Sequence, residues 1–423
     1  MSCRVGKSKI SGQITCPPNK SYTHRAIFLA SLAGNGSKVE NVLFSEDTNA
    51  TIDACTSFGA KIKTDKSTIT IEDAINTSTK VPVIDTKNSG TTIRIAAGIA
   101  SLFTDKITLT GDESLQKRPM QPLLDALSSI GAKCNSTNGK PPIEVQGKIS
   151  GGDVKIPGNL SSQFISSLLI IGPLTEKGIN LTIEEGLVSK PHLDATIATM
   201  RKFGASVQTL IPYKKYNITP QVYNNTTFAI PIDFSSLALL LSAAVLNGDK
   251  VSIKGDIGTL PQGDEVFLDI LEQLGVTVNI EDNEINVDTP EKLNGGKFDL
   301  SNSPDLLPPL SILSLKTSKP IEIVNVKHAR LKETDRISII AQEISKLGIK
   351  VQENEDGMIL ESSTKITGAK LNSGNDHRLF MAFCIAGMYV GNCIVTHPES
   401  VRVSYPNFIE DMNRLGADIK IEQ

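Results

Sequence analysis

The pattern of hydrophobic and polar positions repeats along the chain about every 70 residues. In each period an amphipathic segment ends in an apolar residue and a glycine, and a short run with strand character follows. The six glycines lie 68 to 73 residues apart, at Gly59, Gly131, Gly204, Gly275, Gly348 and Gly416. Glycine readily adopts the left-handed conformation that ends many helices. The pattern therefore predicts six amphipathic helices, each ended by one of these glycines and followed by a strand.

A second pattern with the same period consists of strongly apolar segments that open with polar residues. The polar positions that mark their starts are Ser21, Ser89, Ser162, Ser235, Asp305 and Asp376. Segments that are apolar on nearly all sides form buried helices. Ser and Asp at a helix start accept hydrogen bonds from the unpaired N–H groups of the first turn. Helix capping alone therefore accounts for any single polar cluster, and no binding role is needed to explain it. Six such helix ends with extra Lys, Arg or Gln also suit the binding of anions.

The number of repeats bounds the domain organisation. A chain of 423 residues is too long for one ordinary core, and three units of about 70 residues make a domain of ordinary size. We therefore expect two domains of three repeats. Each repeat should hold one buried helix, one amphipathic helix and several short strands.

Composition and charge exclude several classes of protein. The net charge of −3 and the aromatic content of 4% argue against a nucleic-acid binder or an RNA 3′-end cyclase. No apolar run reaches the ~18 residues of a membrane span, and no signal segment is present, so we expect a cytoplasmic protein that binds no membrane. The six cysteines form no CxxC pair and the five histidines lack the spacing of metal ligands, so we expect free thiols and no metal.

Eight motifs along the chain carry a family resemblance. They are, in order, NKSYTHR, NSGTTIR, KRPM, SSQF, VSKPH, QGDE, KETDR and NDHR. Together they resemble the enolpyruvyltransferase family, most closely its members that act on shikimate 3-phosphate. The resemblance implies an α/β fold of two domains, each with three βαβαββ repeats around buried helices, an inside-out α/β barrel. One domain would comprise residues 1–15 and 230–423 and the other residues 16–229, with the active site in the cleft between them.

The resemblance also implies a reaction. The enolpyruvyl group of phosphoenolpyruvate would pass to the 5-hydroxyl of shikimate 3-phosphate, a step of aromatic amino acid biosynthesis that is the target of glyphosate. The enzyme would need no cofactor and would act as a monomer. The alternative is an enolpyruvyltransferase that acts on UDP-N-acetylglucosamine, but those enzymes usually carry a Cys in a loop equivalent to residues 111–122, which contain none. A catalytically inactive scaffold is a further alternative, against which the intact Lys20, Asp305, Glu333 and Arg378 argue.

The resemblance assigns roles to residues of the motifs. The implied ligands of shikimate 3-phosphate are Lys20, Ser21, Arg25, Ser161, Ser162, Gln163, Ser189, Asp305 and Lys332. Those of phosphoenolpyruvate are Lys20, Asn88, Gly90, Arg118, Gln163, Arg336 and Arg378. For catalysis, Asp305 would be the base that takes the hydroxyl proton, Glu333 with Lys332 would supply the acid, and Lys20 would lie between the substrates. Gly90 would border the position at which glyphosate packs, and Arg94 would be structural.

Some of these residues have simpler explanations. Asp305 follows a proline at a helix start and could serve only as a cap. Lys332 and Arg336 are four residues apart, which predicts that both project from one helical face with an anion or acid between them. A surface helix with ion pairs to Glu333 and Asp335 is the alternative. His328 stands where some members of the family have Asn, and Arg402 and Val403 stand near the position of a Lys.

Overall fold

The computed structural model describes residues 1–361 and 365–422. Twelve α-helices lie in these ranges. They are α1 (Lys20–Ala33), α2 (Glu46–Ser57), α3 (Gly90–Ala100), α4 (Gln121–Ser129), α5 (Ser162–Ile171), α6 (Lys190–Lys202), α7 (Phe234–Asn247), α8 (Phe267–Gln273), α9 (Leu307–Leu313), α10 (Arg336–Lys346), α11 (His377–Val390) and α12 (Phe408–Arg414). Among the described residues, none of these helices is long and apolar enough to cross a membrane.

The strands are short and number 24 in the same ranges. They are β1 (Ser2–Val5), β2 (Ile10–Thr15), β3 (Lys38–Glu40), β4 (Lys61–Asp65), β5 (Thr68–Asp73), β6 (Val83–Asp85), β7 (Ile107–Thr110), β8 (Lys133–Thr137), β9 (Lys140–Gln146), β10 (Gly152–Pro157), β11 (Ile179–Glu184), β12 (Gln208–Ile211), β13 (Lys215–Ile218), β14 (Thr227–Ala229), β15 (Gly248–Lys254), β16 (Thr277–Glu281), β17 (Glu284–Asp288), β18 (Gly296–Asp299), β19 (Ile321–Val324), β20 (Val351–Asn354), β21 (Gly357–Leu360), β22 (Lys370–Leu371), β23 (Cys393–Thr396) and β24 (Ile419–Glu422).

The strands form six four-stranded sheets with one topology. In the order β6-β7-β9-β8, for example, β6 runs parallel to β7 with Ile84 opposite Leu109. β9 then pairs antiparallel with β7 and with β8. The buried helix α3 connects β6 to β7, and the amphipathic helix α4 connects β7 to β8. Each repeat is therefore a βαβαββ unit, as the fold class implied.

The chain divides into two compact units. One comprises Met1–Pro17, Ile232–Gly258 and Gly263–Gln423, and the other Pro18–Pro231 with Thr259–Gln262. In the first unit, β1 lies between β23 and β24 and completes the last repeat. In the second, β14 pairs parallel with β3 and supplies the first strand of the first repeat. The expected boundaries followed residues 15 and 229, and no pattern along the chain indicated that residues 259–262 belong to a different unit from their neighbours.

The apolar helices form the core of each unit. Every residue of α3 and of α7 is buried, and α7, α9 and α11 pack against one another. The sequence prediction of buried helices is confirmed. The amphipathic helices bury one face only; α10, for example, buries Ile337, Ile340 and Ile344 and exposes Gln342.

The predicted helix ends are also confirmed. All six periodic glycines have φ between +83° and +113°, and each follows the last turn of an amphipathic helix. The predicted starts need a correction, because only Ser89 and Asp376 are N-caps. At α1, α5 and α7 the caps are Asn19, Ser161 and Asp233, one or two residues before the expected position. Their side chains accept hydrogen bonds from N–H groups of the first turn in the expected way.

Candidate active site

Six charged residues of the first unit form a group that we call the carboxylate cluster. Its members are Asp305, Lys332, Glu333, Arg336, Asp376 and Arg378. Asp305 lies in a 3-10 turn before α9, Lys332 and Glu333 follow another 3-10 turn, and Arg336 is the first residue of α10. Asp376 caps α11, and Arg378 is the second residue of that helix. Helix starts and the loops before them thus place all six side chains.

Arg336 is the centre of the carboxylate cluster. Its Nε donates to Asp376 Oδ2 at 2.7 Å, its Nη1 to Asp305 Oδ1 at 2.6 Å and its Nη2 to Glu333 Oε2 at 2.7 Å. The side chain is 1% exposed. Burial by itself lowers the pKa of Arg336, but the three carboxylates offset this and raise the pKa above its ordinary value. The guanidinium is therefore a fixed charge that holds three carboxylates in place.

The structure corrects the interpretation of Lys332 and Arg336. Lys332 has an extended backbone and lies outside α10, so the two residues do not share a helical face. The expected anion between them is nevertheless present, since Asp305 Oδ1 lies 3.7 Å from Lys332 Nζ and 2.6 Å from Arg336 Nη1. Asp305 is also not an N-cap. It is the second residue of the 3-10 turn Pro304–Leu306, and the residue at the N-cap position of that turn is Ser303.

Arg378 contacts the other oxygen of Asp305. Its Nη2 lies 3.3 Å from Asp305 Oδ2, and its side chain is 4% exposed. Burial lowers the pKa of Arg378, and Asp305 and Asp233 more than offset that effect and raise it. Among the described residues, no atom accepts a hydrogen bond from the buried Nη1 of Arg378. That nitrogen is oriented for an acceptor that the described residues do not supply.

Two acids, one in the carboxylate cluster and one near it, were not among the candidate site residues. Asp376 belongs to the motif NDHR and is fully buried against Arg336. Asp264 belongs to the motif QGDE and accepts a hydrogen bond from the Ser235 hydroxyl. Burial, followed by the charge of Asp305, raises the pKa of Asp264 to about 7. Both residues lie in motifs that carried the resemblance, which was the signal available in the sequence.

His328 lies beside Lys332 and titrates abnormally. Burial, followed by the charge of Lys332, lowers its pKa from 6.5 to about 4. The ring is therefore neutral at physiological pH.

In the second unit, a group that we call the cation cluster surrounds the starts of α1, α3 and α5. Its members are Lys20, Arg25, Arg94 and Arg118 with Asn88, Gly90 and Gln163. Lys20 Nζ lies 2.9 Å from Asp47 Oδ2, and both side chains are largely buried. The Asp47 carbonyl accepts a hydrogen bond from Thr92 of α3 at 3.5 Å. Asp47, at the start of α2, thus connects Lys20 to the next buried helix.

Arg118, Asn88 and Gly90 lie together. Arg118 Nη2 donates to Asn88 Oδ1 at 2.9 Å, and Asn88 Nδ2 donates to Asp112 Oδ2 at 2.7 Å. A Cβ atom added to Gly90 would lie 2.9 Å from Arg118 Nη1. The missing side chain at Gly90 therefore leaves the space that the Arg118 guanidinium occupies.

Arg94, which the sequence placed outside the site, contacts one of its residues. Arg94 Nη1 donates to Gln163 Oε1, and Gln163 Nε2 donates to Thr91 Oγ1 at 2.9 Å. The Arg94 guanidinium also lies over the Phe164 ring, 5.2 Å from its centroid. These contacts fix the orientation of the Gln163 amide between α3 and α5.

The remaining predicted residues of this unit lie within the first two turns of a helix or directly before it. Arg25 is buried, and its three nitrogens donate to Thr196 Oγ1 and to the carbonyls of Ser21 and His192. Burial lowers the pKa of Arg25 to about 10. The serines of the predicted set are Ser161, which caps α5, Ser162, which begins it, and Ser189, which precedes α6 with a left-handed backbone.

Comparison with known proteins places the chain among homologues. The sequence profile of the EPSP synthase (3-phosphoshikimate 1-carboxyvinyltransferase) family matches residues 5–412. The chain belongs to the EPSP synthase family. It is 76% identical over 422 residues to the 3-phosphoshikimate 1-carboxyvinyltransferase of Nitrosopumilus maritimus, with 100% of both chains covered. It is 39% identical to the enzyme of the same name from Methanococcus vannielii, with 98% of each chain covered.

A solved structure supports the same family. The EPSP synthase of Acinetobacter baumannii superposes with a TM-score of 0.83 at 27% identity, covering 100% of this chain and 99% of that one. Family, fold and the transferase class that the sequence predicted are thereby confirmed. The roles of single residues stay predictions.

Proposed function

We propose that the chain transfers the enolpyruvyl group of phosphoenolpyruvate to the 5-hydroxyl of shikimate 3-phosphate, releasing 5-enolpyruvylshikimate 3-phosphate and phosphate. The observation that carries this proposal is the 76% identity, over its whole length, to a 3-phosphoshikimate 1-carboxyvinyltransferase. The UDP-N-acetylglucosamine alternative is not favoured, because the family that matches is the EPSP synthases.

In the proposed mechanism, Asp305 removes the proton of the attacking hydroxyl. Lys332, Arg336 and Arg378 contact its carboxylate, and nearby cations favour the ionised form that a base requires. Glu333 and Lys332 together supply the proton that the methylene carbon of phosphoenolpyruvate takes up. Because the contact with Arg336 favours the ionised form of Glu333, that proton comes from the Lys332 ammonium group. Loss of phosphate and of a proton from the resulting methyl group restores the double bond in the product.

The cation cluster binds the anionic groups of the substrates in this mechanism. Lys20 lies between the two substrates, while Asn88, Gly90 and Arg118 hold phosphoenolpyruvate, with Gln163 reaching both. Ser21, Arg25, Ser161, Ser162 and Ser189 hold shikimate 3-phosphate. Preorganised cations of this kind stabilise the negative charge that develops in a transition state.

Of the proposed phosphoenolpyruvate ligands in the carboxylate cluster, Arg378 is the better prepared. Its buried Nη1 has no acceptor among the described residues, which suits a substrate carboxylate or phosphate. The three nitrogens of Arg336 all contact carboxylates, so Arg336 must exchange one of these partners in order to bind substrate.

We further propose that the enzyme works as a monomer in the cytoplasm. All six cysteines are thiols, and five of them are buried, which suits a reducing compartment. Both substrates are small anions, and the reaction requires no second chain.

The test of the proposed function is a phosphate-release assay with phosphoenolpyruvate as the donor. We expect phosphate release that depends on shikimate 3-phosphate and that is lost in Asp305→Asn. UDP-N-acetylglucosamine replaces shikimate 3-phosphate in the control reaction and should support no release. Release with UDP-N-acetylglucosamine, or none with shikimate 3-phosphate, would overturn the proposal.

A further inference from the structure

Residues 259–262, which we call the strap, belong to a different compact unit from the residues that flank them in the sequence. Gly258 and Gly263 belong to the first unit, whereas Thr259–Gln262 belong to the second. Leu260 packs against the hydrophobic core of that second unit. Because the flanking residues belong to the first unit, specific contacts within the second unit must hold these four residues in place.

Two hydrogen bonds attach the strap to the beginning of α1. The Tyr22 hydroxyl donates to the Pro261 carbonyl at 2.8 Å, and Asn19 Nδ2 donates to Gln262 Oε1 at 2.5 Å. Tyr22 is 1% exposed and Asn19 is 6% exposed, while Pro261 and Gln262 are half-buried, so both bonds are partly shielded from solvent. The strap therefore contacts the first turn of α1 rather than its outer face.

The Asn19 bond bears on the cap of α1. Asn19 Oδ1 accepts the hydrogen bond of the Tyr22 N–H at 2.8 Å and so caps the helix. The Oδ1 and Nδ2 atoms of the amide are bonded to the same carbon, so a hydrogen bond that fixes the position of Nδ2 also fixes the direction of Oδ1. Gln262 thus selects the orientation of Asn19 that caps α1.

The first turn that this cap fixes carries two of the proposed substrate ligands. Lys20 follows Asn19 directly and contacts Asp47, and Ser21 is the next residue. We propose that Gln262 is a positioning residue of the reaction, which holds Asn19 and thereby places Lys20 and Ser21 on the substrate anions. This inference rests on the proposed function for the identity of the substrate.

The test compares Gln262→Ala, which removes the acceptor, with Gln262→Glu, which keeps an oxygen at the same distance along the side chain. We expect Gln262→Ala to raise the KM for shikimate 3-phosphate about five-fold to ten-fold, as the loss of one partly buried hydrogen bond would, with a smaller change in kcat. Gln262→Glu should retain most of the wild-type KM. Tyr22→Phe removes the hydroxyl that bonds to Pro261 and should give a smaller rise in KM.

Hydrogen exchange of the backbone amides of residues 21–25 gives a readout that needs no substrate. Gln262→Ala should speed exchange at the Tyr22 N–H, and Gln262→Glu should restore its protection. Gln221→Ala is the matched control, because Gln221 is a half-buried glutamine of the same unit that bonds to Ser206 instead.

The outcomes separate this inference from the proposed function. If the wild-type enzyme is inactive with shikimate 3-phosphate but the variants show the expected exchange pattern, the proposed function is contradicted and the role of Gln262 in positioning the α1 cap is supported. Unchanged exchange and unchanged KM in Gln262→Ala would overturn the positioning role, as would a defect in Gln262→Glu equal to that of the alanine variant.

Discussion

Arg336 and Arg25 are two arginines buried to the same degree in two different surroundings. Each is 1% exposed. The three nitrogens of Arg336 contact carboxylates, whereas those of Arg25 donate to a hydroxyl and two carbonyls. The pKa of Arg336 is consequently raised, and burial lowers the pKa of Arg25 to about 10. Burial by itself lowers the pKa of both guanidiniums, and the net shifts are opposite because only Arg336 meets compensating charge.

The comparison extends to the clusters to which these arginines belong. The carboxylate cluster contains the charges that balance its own cations, so it can hold an acid and a base in fixed positions. In the cation cluster Arg94 Nη1 donates to the amide oxygen of Gln163 and Arg118 Nη2 to that of Asn88, while Lys20 pairs with Asp47. We therefore expect the first region to serve proton transfer and the second to serve anion binding.

The largest effect that would test this division is expected from Asp305→Asn. The variant keeps the size of the side chain and removes the proposed base, so kcat/KM should fall by about 10²-fold to 10⁴-fold while the fold is retained. Phosphate release with shikimate 3-phosphate measures it, and Asp299→Asn, at an exposed strand end of the same unit, is the control. Near-normal turnover would remove Asp305 from the catalytic role.

The next effect concerns stability. Arg336→Met leaves Asp376 buried without its cation and should lower the free energy of unfolding by about 3–5 kcal/mol. Arg25→Met leaves only neutral acceptors unpaired and should cost about 1–3 kcal/mol. Urea unfolding of both variants provides the measurement. Equal losses would show that the charge of the partners does not distinguish the two regions.

A smaller effect is expected within the cation cluster. The methyl group of Gly90→Ala would lie 2.9 Å from Arg118 Nη1 and 3.5 Å from Arg94 Nη1, so Arg118 must move. We expect the inhibition constant of glyphosate to rise about 10-fold and the KM for phosphoenolpyruvate to rise less. Competition kinetics on both proteins measure these constants, and unchanged values would place Gly90 away from the binding site.

The smallest effect is a change in the pH dependence of stability. The folded-state pKa of His328 is lowered to about 4, so the unfolded chain binds more protons between that value and 6.5. The native state should therefore lose stability as pH falls from 6.5 toward 4. His328→Asn should lose less over that range, as urea unfolding at a series of pH values can measure. A parallel loss in the two proteins would contradict the assignment.

Local patterns predicted much of the fold and supplied the candidate site residues. Predicting a buried helix from an apolar segment, or a helix end from a glycine, requires only residues that are close in the sequence. The burial of α3 and α7 and the positive φ of the six periodic glycines agree with these predictions. The eight motifs likewise placed the site residues at helix starts and loops. What they could not supply was partners. The expectation that Lys332 and Arg336 share a helical face was wrong because α10 begins only at Arg336, a boundary that the four-residue spacing does not reveal.

By itself, the sequence determined the repeats, the order of helices and strands, and the family, because these depend on short-range periodicity and on motifs read in order. Only the tertiary structure decided which charges meet. It placed Asp305 between Lys332 and Arg336 and paired Lys20 with Asp47, in both cases across the connection between two helices. It also brought Gln262 to Asn19, 243 residues away. Ion pairs and buried amide bonds depend on how helices and loops pack, which spacing along the chain does not encode.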